Sequence, residues 1–333
     1  MPISPTDAMN FLQTQWSSVN DNKVKGILAE LRFKDFLFQS NVHCVSGGWI
    51  VTPGNPSLVS TPTKEKICLL PRTQSFTWQT TAGISGNLTP AEISAYNYFR
   101  QVGVRALFTS PVAVNEHLFT NPVPRIAKYK AQYPRPYDLQ LSEVGPTGVL
   151  NTVTAASVFA RFPRRKGNTG LRCHKTGRIT STQAPWTNLD VISDLFWFEY
   201  SRYYFQVEYL LSNNDLDLFI IGPAGSSYPV ELKSKTVAKD SSLGPWFGID
   251  MGPYAKLSFF TANSMNTDAL YVVEEVDASR QHVEWYGIKF TELVKCCSWV
   301  GQAGGTGMMG GASSTFKIPK SAFSPLLALL PTL

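Results

Sequence analysis

The sequence predicts a mixed α/β fold, because segments with helical and strand patterns alternate through both halves of the chain. In the N-terminal half, a helix over Asn22–Gln39 is followed by extended segments, a second helix ending near Gln101 and a strand over Val104–Thr109. In the C-terminal half, a helix beginning after Asn188 precedes three closely spaced strands, another helix and another strand. This order is typical of a mixed central sheet flanked by helices.

The N-terminal half begins with a helix and two extended segments. Asn22 can cap the helix, and one apolar side is supplied by Ile27, Leu28, Leu31, Phe36, Leu37 and Phe38. Strand residues follow over Val42–Thr52, broken at Gly47-Gly48, and a second extended region spans Lys66–Trp78.

The second helix of this half has a clear start and end. Thr89-Pro90 provides a cap and a proline suited to the first helical position, and Glu92 adds a negative charge to the first turn. Gly103 ends the helix before the next strand. The stretch Pro111–Gly148, rich in proline and tyrosine, is predicted to be irregular.

The elements of the C-terminal half are closely spaced. Turn residues separate the predicted strands, and a glycine-rich stretch over Gly301–Ser314 is predicted to be a flexible tail. The elements are a helix to about Tyr203, strands over Phe205–Leu211, Leu216–Ile221 and Tyr228–Lys233, a helix over Tyr254–Met265 and a strand over Ala269–Val276.

Length and composition indicate a folded protein of more than one region. The chain has 333 residues, of which 43% are hydrophobic and 12% aromatic, and this excludes a disordered chain. The formal charge of +6 favours an anionic partner. We expect an N-terminal α/β region (1–150), a basic loop region (151–187), an α/β core (188–300) and a glycine-rich C-terminal segment (301–333).

The cysteines and the apolar runs indicate in which cellular compartment we expect the protein. The five cysteines have neither disulfide-like regularity nor the paired spacing of a zinc site: Cys44, Cys68, Cys173, Cys296 and Cys297. The N-terminus does not have the pattern of a signal peptide, and no run is long and apolar enough for a membrane span. We therefore expect a cytoplasmic protein with no membrane partner.

Two neighbouring strands carry the most informative residues of the sequence. Asp217 lies at the start of one strand, and Glu231-Leu232-Lys233 ends the next. Side chains alternate along a strand, so Glu231 and Lys233 share a face, and Asp217 can reach that face from the neighbouring strand. Two carboxylates and an ammonium group brought together suit Mg²⁺ and a phosphate. The alternative is a surface hairpin whose charges are solvated.

This order of elements and residues resembles the PD-(D/E)xK nuclease core, the fold of most type II restriction endonucleases. In this chain Leu216 stands where the family has a proline before the aspartate. The resemblance implies a restriction-endonuclease-like core with an additional N-terminal α/β region. The catalytic core would be 188–300, the N-terminal region (1–150) would serve recognition or dimerisation, and the basic loop region (151–187) would bind DNA. It also implies that Asp217, Glu231 and the Leu232 carbonyl hold Mg²⁺, while Lys233 orients water and stabilises charge on the scissile phosphate.

Many members of this family add a glutamate from a helix before the first core strand. Glu199 is the first candidate by proximity along the chain, and Glu30 is the second. A glutamate among the aromatic neighbours of Glu199 is costly unless it is paired or near a cation. For each glutamate, a structural salt bridge is the alternative.

The function implied by the resemblance is a Mg²⁺-dependent type II restriction endonuclease that cuts double-stranded DNA and acts as a homodimer. Two alternatives stay open: a DNA repair or junction-resolving nuclease, and a non-catalytic DNA-binding protein with a nuclease-like fold. A structural or capsid-like protein also fits the composition, but leaves the convergence of acids and lysine unexplained.

A basic stretch is the candidate surface for DNA. No acidic residue occurs from Pro146 through Leu189, and lysines and arginines at phosphates add affinity by releasing counterions. The predicted DNA-binding residues are Arg161, Arg164, Arg165, Lys166, Arg172, Lys175, Arg178 and, after the Glu-x-Lys triplet, Lys235. A second group is Lys128, Lys130 and Arg135. The alternative is a solvated loop without a partner.

Overall fold

The computed structural model describes residues 21–53, 66–72, 87–114, 137–146, 148–162, 164, 189–206, 209, 211–264, 267–299, 301–303 and 314–333. The α-helices in these ranges are α1 (Asp21–Gln39), α2 (Pro90–Gln101), α3 (Ala155–Val158), α4 (Leu189–Gln206), α5 (Met251–Asn263), α6 (Phe290–Cys296) and α7 (Leu326–Leu329). None of the helices described there is long and apolar enough to cross a membrane.

The strands fall into three sheets. In chain order they are β1 (Cys44–Ser46), β2 (Trp49–Pro53), β3 (Ile67–Pro71), β4 (Arg105–Val114), β5 (Tyr137–Val144), β6 (Leu150–Val153), β7 (Leu211–Asp215), β8 (Leu218–Ile221), β9 (Ser227–Lys235), β10 (Ala238–Asp240), β11 (Gly244–Asp250), β12 (Leu270–Val276), β13 (His282–Lys289), β14 (Gln302–Ala303), β15 (Ser314–Pro319) and β16 (Ser324–Pro325).

The chain forms two compact units, each discontinuous in sequence. The first unit comprises Met1–Phe36, Gly48–Thr89 and Val104–Asp215. The second unit comprises Leu37–Gly47, Pro90–Gly103 and Leu216–Leu333. The predicted mixed α/β class is confirmed, because the structure contains several sheets flanked by helices, two of them with both parallel and antiparallel pairs.

The first unit is built on a six-stranded sheet in the order β6-β5-β4-β3-β2-β7. The β3–β4 pair is parallel and the other pairs are antiparallel. Helix α4 packs on this sheet: Trp49 Nε1 donates a hydrogen bond to the carbonyl oxygen of Phe198 at 2.9 Å, and the hydroxyls of Thr109 and Ser201 lie 2.7 Å apart.

The second unit contains the other two sheets. The second sheet has the order β1-β8-β9-β12-β13-β16, and its β9–β12 pair is parallel. The third sheet, β10-β11-β15-β14, is antiparallel throughout. Helix α5 lies between β11 and β12 in the chain and packs against β9, β11 and β15. Because a parallel pair needs a crossover connection, the chain from β9 through α5 to β12 supplies one.

The break predicted at Gly47-Gly48 is confirmed, and it sends β1 and β2 into different sheets. A Cβ on Gly47 would lie 2.2 Å from the carbonyl oxygen of Leu216. Gly48 has φ = +82°, and a Cβ there would lie 2.5 Å from the carbonyl oxygen of Leu69. Both positions therefore require a residue without a side chain.

The predicted strand over Phe205–Leu211 is wrong at Phe205 and Gln206, which are helical. Helix α4 continues to Gln206, and the strand that follows, β7, pairs with β2 in the first sheet. Phe205 is 2% exposed and its ring packs 5.5 Å from that of Phe159. Burial of this aromatic residue on the helix outweighs the strand propensity of the local sequence.

The prediction of irregular structure over Pro111–Gly148 is wrong at 111–114 and at Tyr137–Val144, which are strands. Strand β4 continues through Pro111 to Val114 and pairs with β5. The register shifts between Pro111 and Ala113, and such an irregularity accommodates a residue without an N–H group. The part of this stretch at 115–136 lies outside the described residues.

The glycine-rich stretch predicted as a flexible tail is described only at its ends. Residues 304–313 lie outside the described ranges. On either side of them, Gln302 pairs with Thr315 and Ala303 with Ser314.

We predict that Gly48→Ala destabilises the first unit more than Gly148→Ala. Both glycines have positive φ, which costs a residue with a Cβ about 1–2 kcal/mol. Nothing lies within 4 Å of a Cβ on Gly148, whereas a Cβ on Gly48 would overlap the Leu69 backbone. Urea unfolding of the two variants measures the difference, and equal losses would contradict the close approach at Gly48.

Candidate active site

The three residues singled out by the sequence lie on one face of the second sheet. Glu231 and Lys233 alternate along β9, and Asp217 immediately precedes β8. Because Leu218 pairs with Val230 in antiparallel register, Asp217 lies opposite Glu231. Asp217 is 5% exposed and Glu231 is 2% exposed, so two neighbouring strands bury two carboxylates side by side.

Asp217 is anchored to the backbone of β9. Its Oδ2 accepts a hydrogen bond of 2.6 Å from the N–H of Leu232. Leu232 lies beyond the end of the β8–β9 ladder, so the carboxylate takes up a buried N–H that the ladder does not reach. This contact fixes Asp217 against the strand that carries Glu231 and Lys233.

Glu231 is held by two lysines. Its Oε1 lies 2.6 Å from Lys233 Nζ, and its Oε2 lies 2.5 Å from Lys256 Nζ. Burial of a carboxylate is costly unless it is paired, and here both oxygens are paired with ammonium groups. We call Asp217, Glu231, Lys233 and Lys256 the acid–lysine cluster.

Lys256 is the residue of this cluster that the sequence analysis missed. It lies in α5 and is the one charged residue of that helix. A lone lysine in an otherwise apolar helix is a usable signal, because its ammonium group requires a partner when the helix is buried. Its partner, Glu231, belongs to a different element, so no local spacing rule relates the two residues.

An aromatic cluster positions α5 so that Lys256 reaches Glu231. Phe260, four residues after Lys256 and on the same side of the helix, packs against Tyr98 and Phe99 of α2. Both of these rings also pack against Phe219 of β8, which shares its face with Asp217. One set of aromatic rings therefore joins α5, which carries Lys256, to β8, which follows Asp217.

The surroundings of the acid–lysine cluster shift the pKa values of two further side chains, Tyr271 and Lys235. Burial raises the pKa of Tyr271, which pairs with Glu231 across the β9–β12 ladder and donates a hydrogen bond of 2.7 Å to the carbonyl of Gly248. Burial, and then repulsion by Lys233, lower the pKa of Lys235, whereas Asp250 and Glu231 oppose this change. Lys235 lies two residues after Lys233 in β9, so the two lysines share a face of the sheet, and Lys235 is the third lysine near Glu231.

The two carboxylates of the acid–lysine cluster suit Mg²⁺, whereas its two lysines oppose the binding of a cation. Magnesium in proteins is commonly held by one or two carboxylates together with water and substrate phosphates, and Asp217 and Glu231 provide two. Among the described residues, no group of three or more His, Cys, Asp or Glu side chains could hold a metal ion. The formal charges of the two acids and two lysines cancel, so a bound cation requires that a lysine contact of Glu231 opens.

The two candidate helix glutamates belong to the first unit. Glu199 lies in α4, which leads into β7 of the first sheet. Glu30 is 6% exposed and lies in α1, which leads into β1, the strand paired with β8. The helix directly before the first strand of the sheet that carries Asp217 is therefore α1.

The structure describes three of the predicted DNA-binding residues. Arg161 and Arg164 are exposed in the first unit, and the guanidinium of Arg164 lies 5.5 Å from the ring centre of Tyr209. Lys235 ends β9 in the second unit. The remaining predicted residues lie outside the described residues: Arg165, Lys166, Arg172, Lys175, Arg178, Lys128, Lys130 and Arg135.

We predict that Asp217→Ala destabilises the protein and that Asp217→Asn does so less. Alanine leaves the buried N–H of Leu232 without its side-chain acceptor, which costs about 1–3 kcal/mol, whereas the asparagine side chain still offers an oxygen. Urea unfolding followed by circular dichroism measures both variants. Equal loss in the two would show that the charge of Asp217, and not its hydrogen bond, supports the fold.

The acid–lysine cluster thus combines two anchored carboxylates with two partly exposed lysines, Lys256 with a side chain 14% accessible and Lys233 with one 36% accessible. Such a set can hold a hard cation, neutralise a phosphate and donate protons to oxygen. No protein-family model, curated protein or solved structure matches this chain.

Proposed function

We propose that the protein is a Mg²⁺-dependent endodeoxyribonuclease that cleaves double-stranded DNA at a specific sequence, as type II restriction enzymes do. The observation that carries this proposal is the placement of Asp217, Glu231 and Lys233 on one face of two adjacent strands. Two carboxylates beside a lysine are the residue types that bring a hard cation and a phosphate together.

The order of elements around the cluster supports a restriction-endonuclease-like core. The PD-(D/E)xK order of helix, strand, strand with aspartate, strand with Glu-x-Lys, helix and strand is met by α1, β1, β8, β9, α5 and β12. The four strands are neighbours in the second sheet, in the order β1-β8-β9-β12. In this proposal, most of the chain between β1 and β8 is an insertion into the core.

The residues of the cluster have distinct roles in this proposal. Asp217, Glu231 and the carbonyl of Leu232 would hold Mg²⁺, which supplies Lewis-acid polarisation of the scissile phosphate when it is bound. Lys233 leaves Glu231 and places its ammonium group where negative charge develops on the phosphate. Its partial exposure lets it make this exchange at small cost.

The DNA would be held by the basic residues outside the cluster. Arg161 and Arg164 are exposed, and Lys235 follows Lys233 on the same face of β9. Each cation placed at a phosphate adds affinity that falls with salt. Cleavage of both strands usually needs two active sites, and we therefore propose, by analogy with the family that the sequence resembles, that the active form is a homodimer.

A non-catalytic DNA-binding protein is the second candidate, and the ion pairs of Glu231 favour it. Both carboxylate oxygens are already paired with lysines, so the buried charge is neutralised without a metal ion. In this alternative the cluster is a structural remnant of a nuclease-like fold, and DNA is bound but not cut.

We predict that the purified protein cuts plasmid DNA into discrete fragments when Mg²⁺ is present and that EDTA abolishes cutting. Asp217→Asn and Lys233→Ala should each lower the cleavage rate by at least about 100-fold, because each removes a group required at the reacting phosphate. Fluorescence anisotropy should show that both variants still bind duplex DNA, since the basic residues are unchanged.

Lys295→Ala is the matched control for this test. Lys295 is an exposed lysine in the same unit, paired with Glu292 at 2.7 Å, and its loss should leave cleavage unchanged. DNA binding with no cutting at any Mg²⁺ concentration would favour the non-catalytic candidate. Wild-type cleavage by Lys233→Ala would refute the assignment of the site.

We also predict that the active form has twice the mass of the 36.9 kDa chain. Sedimentation velocity with and without duplex DNA measures the mass. Full cleavage activity in a species that stays at the mass of one chain, including when DNA is bound, would contradict the homodimer.

A further inference from the structure

The two lysines that hold Glu231 are not equivalent. The side chain of Lys256 is 14% exposed and that of Lys233 is 36% exposed. Lys233 can therefore move its ammonium group into water. If Lys256 left Glu231, its ammonium group would be less well hydrated, and this would cost more free energy. When a contact of Glu231 opens, the Lys233 contact is the one that opens.

The helix also restricts Lys256 more strongly than the strand restricts Lys233. Leu257 and Phe260 of the same helix are fully buried, and Phe260 packs against Tyr98 and Phe99. These buried side chains fix the backbone that carries Lys256, so the helix cannot shift away from Glu231 without disrupting their packing. The Lys256–Glu231 pair is therefore the fixed half of the cluster.

We propose that Lys256 is a positioning residue that makes Mg²⁺ binding depend on DNA. It remains on Oε2 of Glu231, so Oε1 is the oxygen presented to the metal ion once Lys233 has moved. Its positive charge repels a divalent cation in the free protein, and the negative charge of a bound phosphate offsets that repulsion. This inference rests on the proposed nuclease function and assigns Lys256 its part in it.

The consequence is a coupling between the two ligands. With Mg²⁺ added to the two carboxylates and Lys256 still in place, the site has a net positive charge that only an anion neutralises. DNA phosphate therefore strengthens Mg²⁺ binding, and by thermodynamic linkage Mg²⁺ strengthens DNA binding by the same factor. Such coupling confines the bound metal to the complex with DNA.

The test is calorimetric titration of Mg²⁺ into the protein without DNA. Lys256→Met removes the repelling charge, and we expect it to bind Mg²⁺ at least about tenfold more tightly than the wild type. Lys256→Gln gives the same change of charge with a polar side chain, and provides a second variant if Lys256→Met does not fold. Lys256→Arg keeps the charge and should keep the wild-type affinity.

Lys320→Met is the matched control for the loss of a partly buried lysine. Lys320 Nζ lies 2.6 Å from the buried Glu275 in the same unit, but Lys320 is no part of the acid–lysine cluster. Its Mg²⁺ affinity should equal that of the wild type. In cleavage assays at saturating Mg²⁺, Lys256→Met should lower kcat by about tenfold or more, because Glu231 is no longer held in position, and should raise the KM for DNA, because the coupling between Mg²⁺ and DNA is lost.

The outcomes separate this inference from the proposed function. Folded Lys256→Met and Lys256→Gln with unchanged or weaker Mg²⁺ affinity overturn the role of Lys256 alone, provided that the wild type binds Mg²⁺ and Asp217→Asn does not. A wild-type protein that binds no Mg²⁺ with or without duplex DNA overturns both proposals. Tighter binding in both neutral variants, with wild-type affinity in Lys256→Arg and Lys320→Met, supports the role.

Discussion

The carboxylate of Glu231, buried between two lysines, is the interaction on which the rest of the second unit depends. Transfer of a carboxylate out of water costs several kcal/mol, and the protein offsets this cost with two ammonium groups that come from different elements. Strand β9 fixes Glu231 and Lys233 through ladders with β8 on one side and β12 on the other. Lys256 has no such ladder, so its position depends on how α5 packs.

The crossover that joins β9 to β12 therefore serves the fold and the site together. A parallel pair cannot be joined by a tight turn, and the connection here includes α5. The rings of Tyr98, Phe99 and Phe260 hold this helix, and Phe219 ties the same rings to β8. Any change that tilts α5 would both loosen the apolar packing and withdraw an ammonium group from a buried acid. The apolar and the charged parts of this unit are for that reason one cooperative structure.

The sequence was most informative where the interaction is local. Alternation along one strand was enough to place Glu231 and Lys233 on a common face, and the turn between the strands was enough to bring Asp217 opposite them. Lys256 could not be found in this way, because it meets Glu231 only after α5 has packed. The first strand of the sheet was also misassigned: β1 is three residues long and is separated from β8 by the whole of Gly48–Asp215. The aromatic helix was predicted to end near Tyr203, but it continues to Gln206, and the additional turn carries the buried Phe205. Propensity and period thus predict neighbours in the chain, whereas contacts across long insertions depend on packing that no local pattern encodes.

The arrangement of charges itself argues for chemistry over stability. A buried ion pair is a poor means of stabilising a protein, since hydrophobic residues of similar size are often equal or better. The same sheet contains a plain example in Glu275, which lies 2.6 Å from Lys320 at the far end of β12. At Glu231 two lysines converge on one acid while a second carboxylate is anchored alongside, and this exceeds what neutralisation of Glu231 requires. The two lysines balance the charges of Glu231 and Asp217 together, and the exposure of Lys233 makes it the lysine that can leave for another anion. In the proposed function, that anion is the phosphate of DNA.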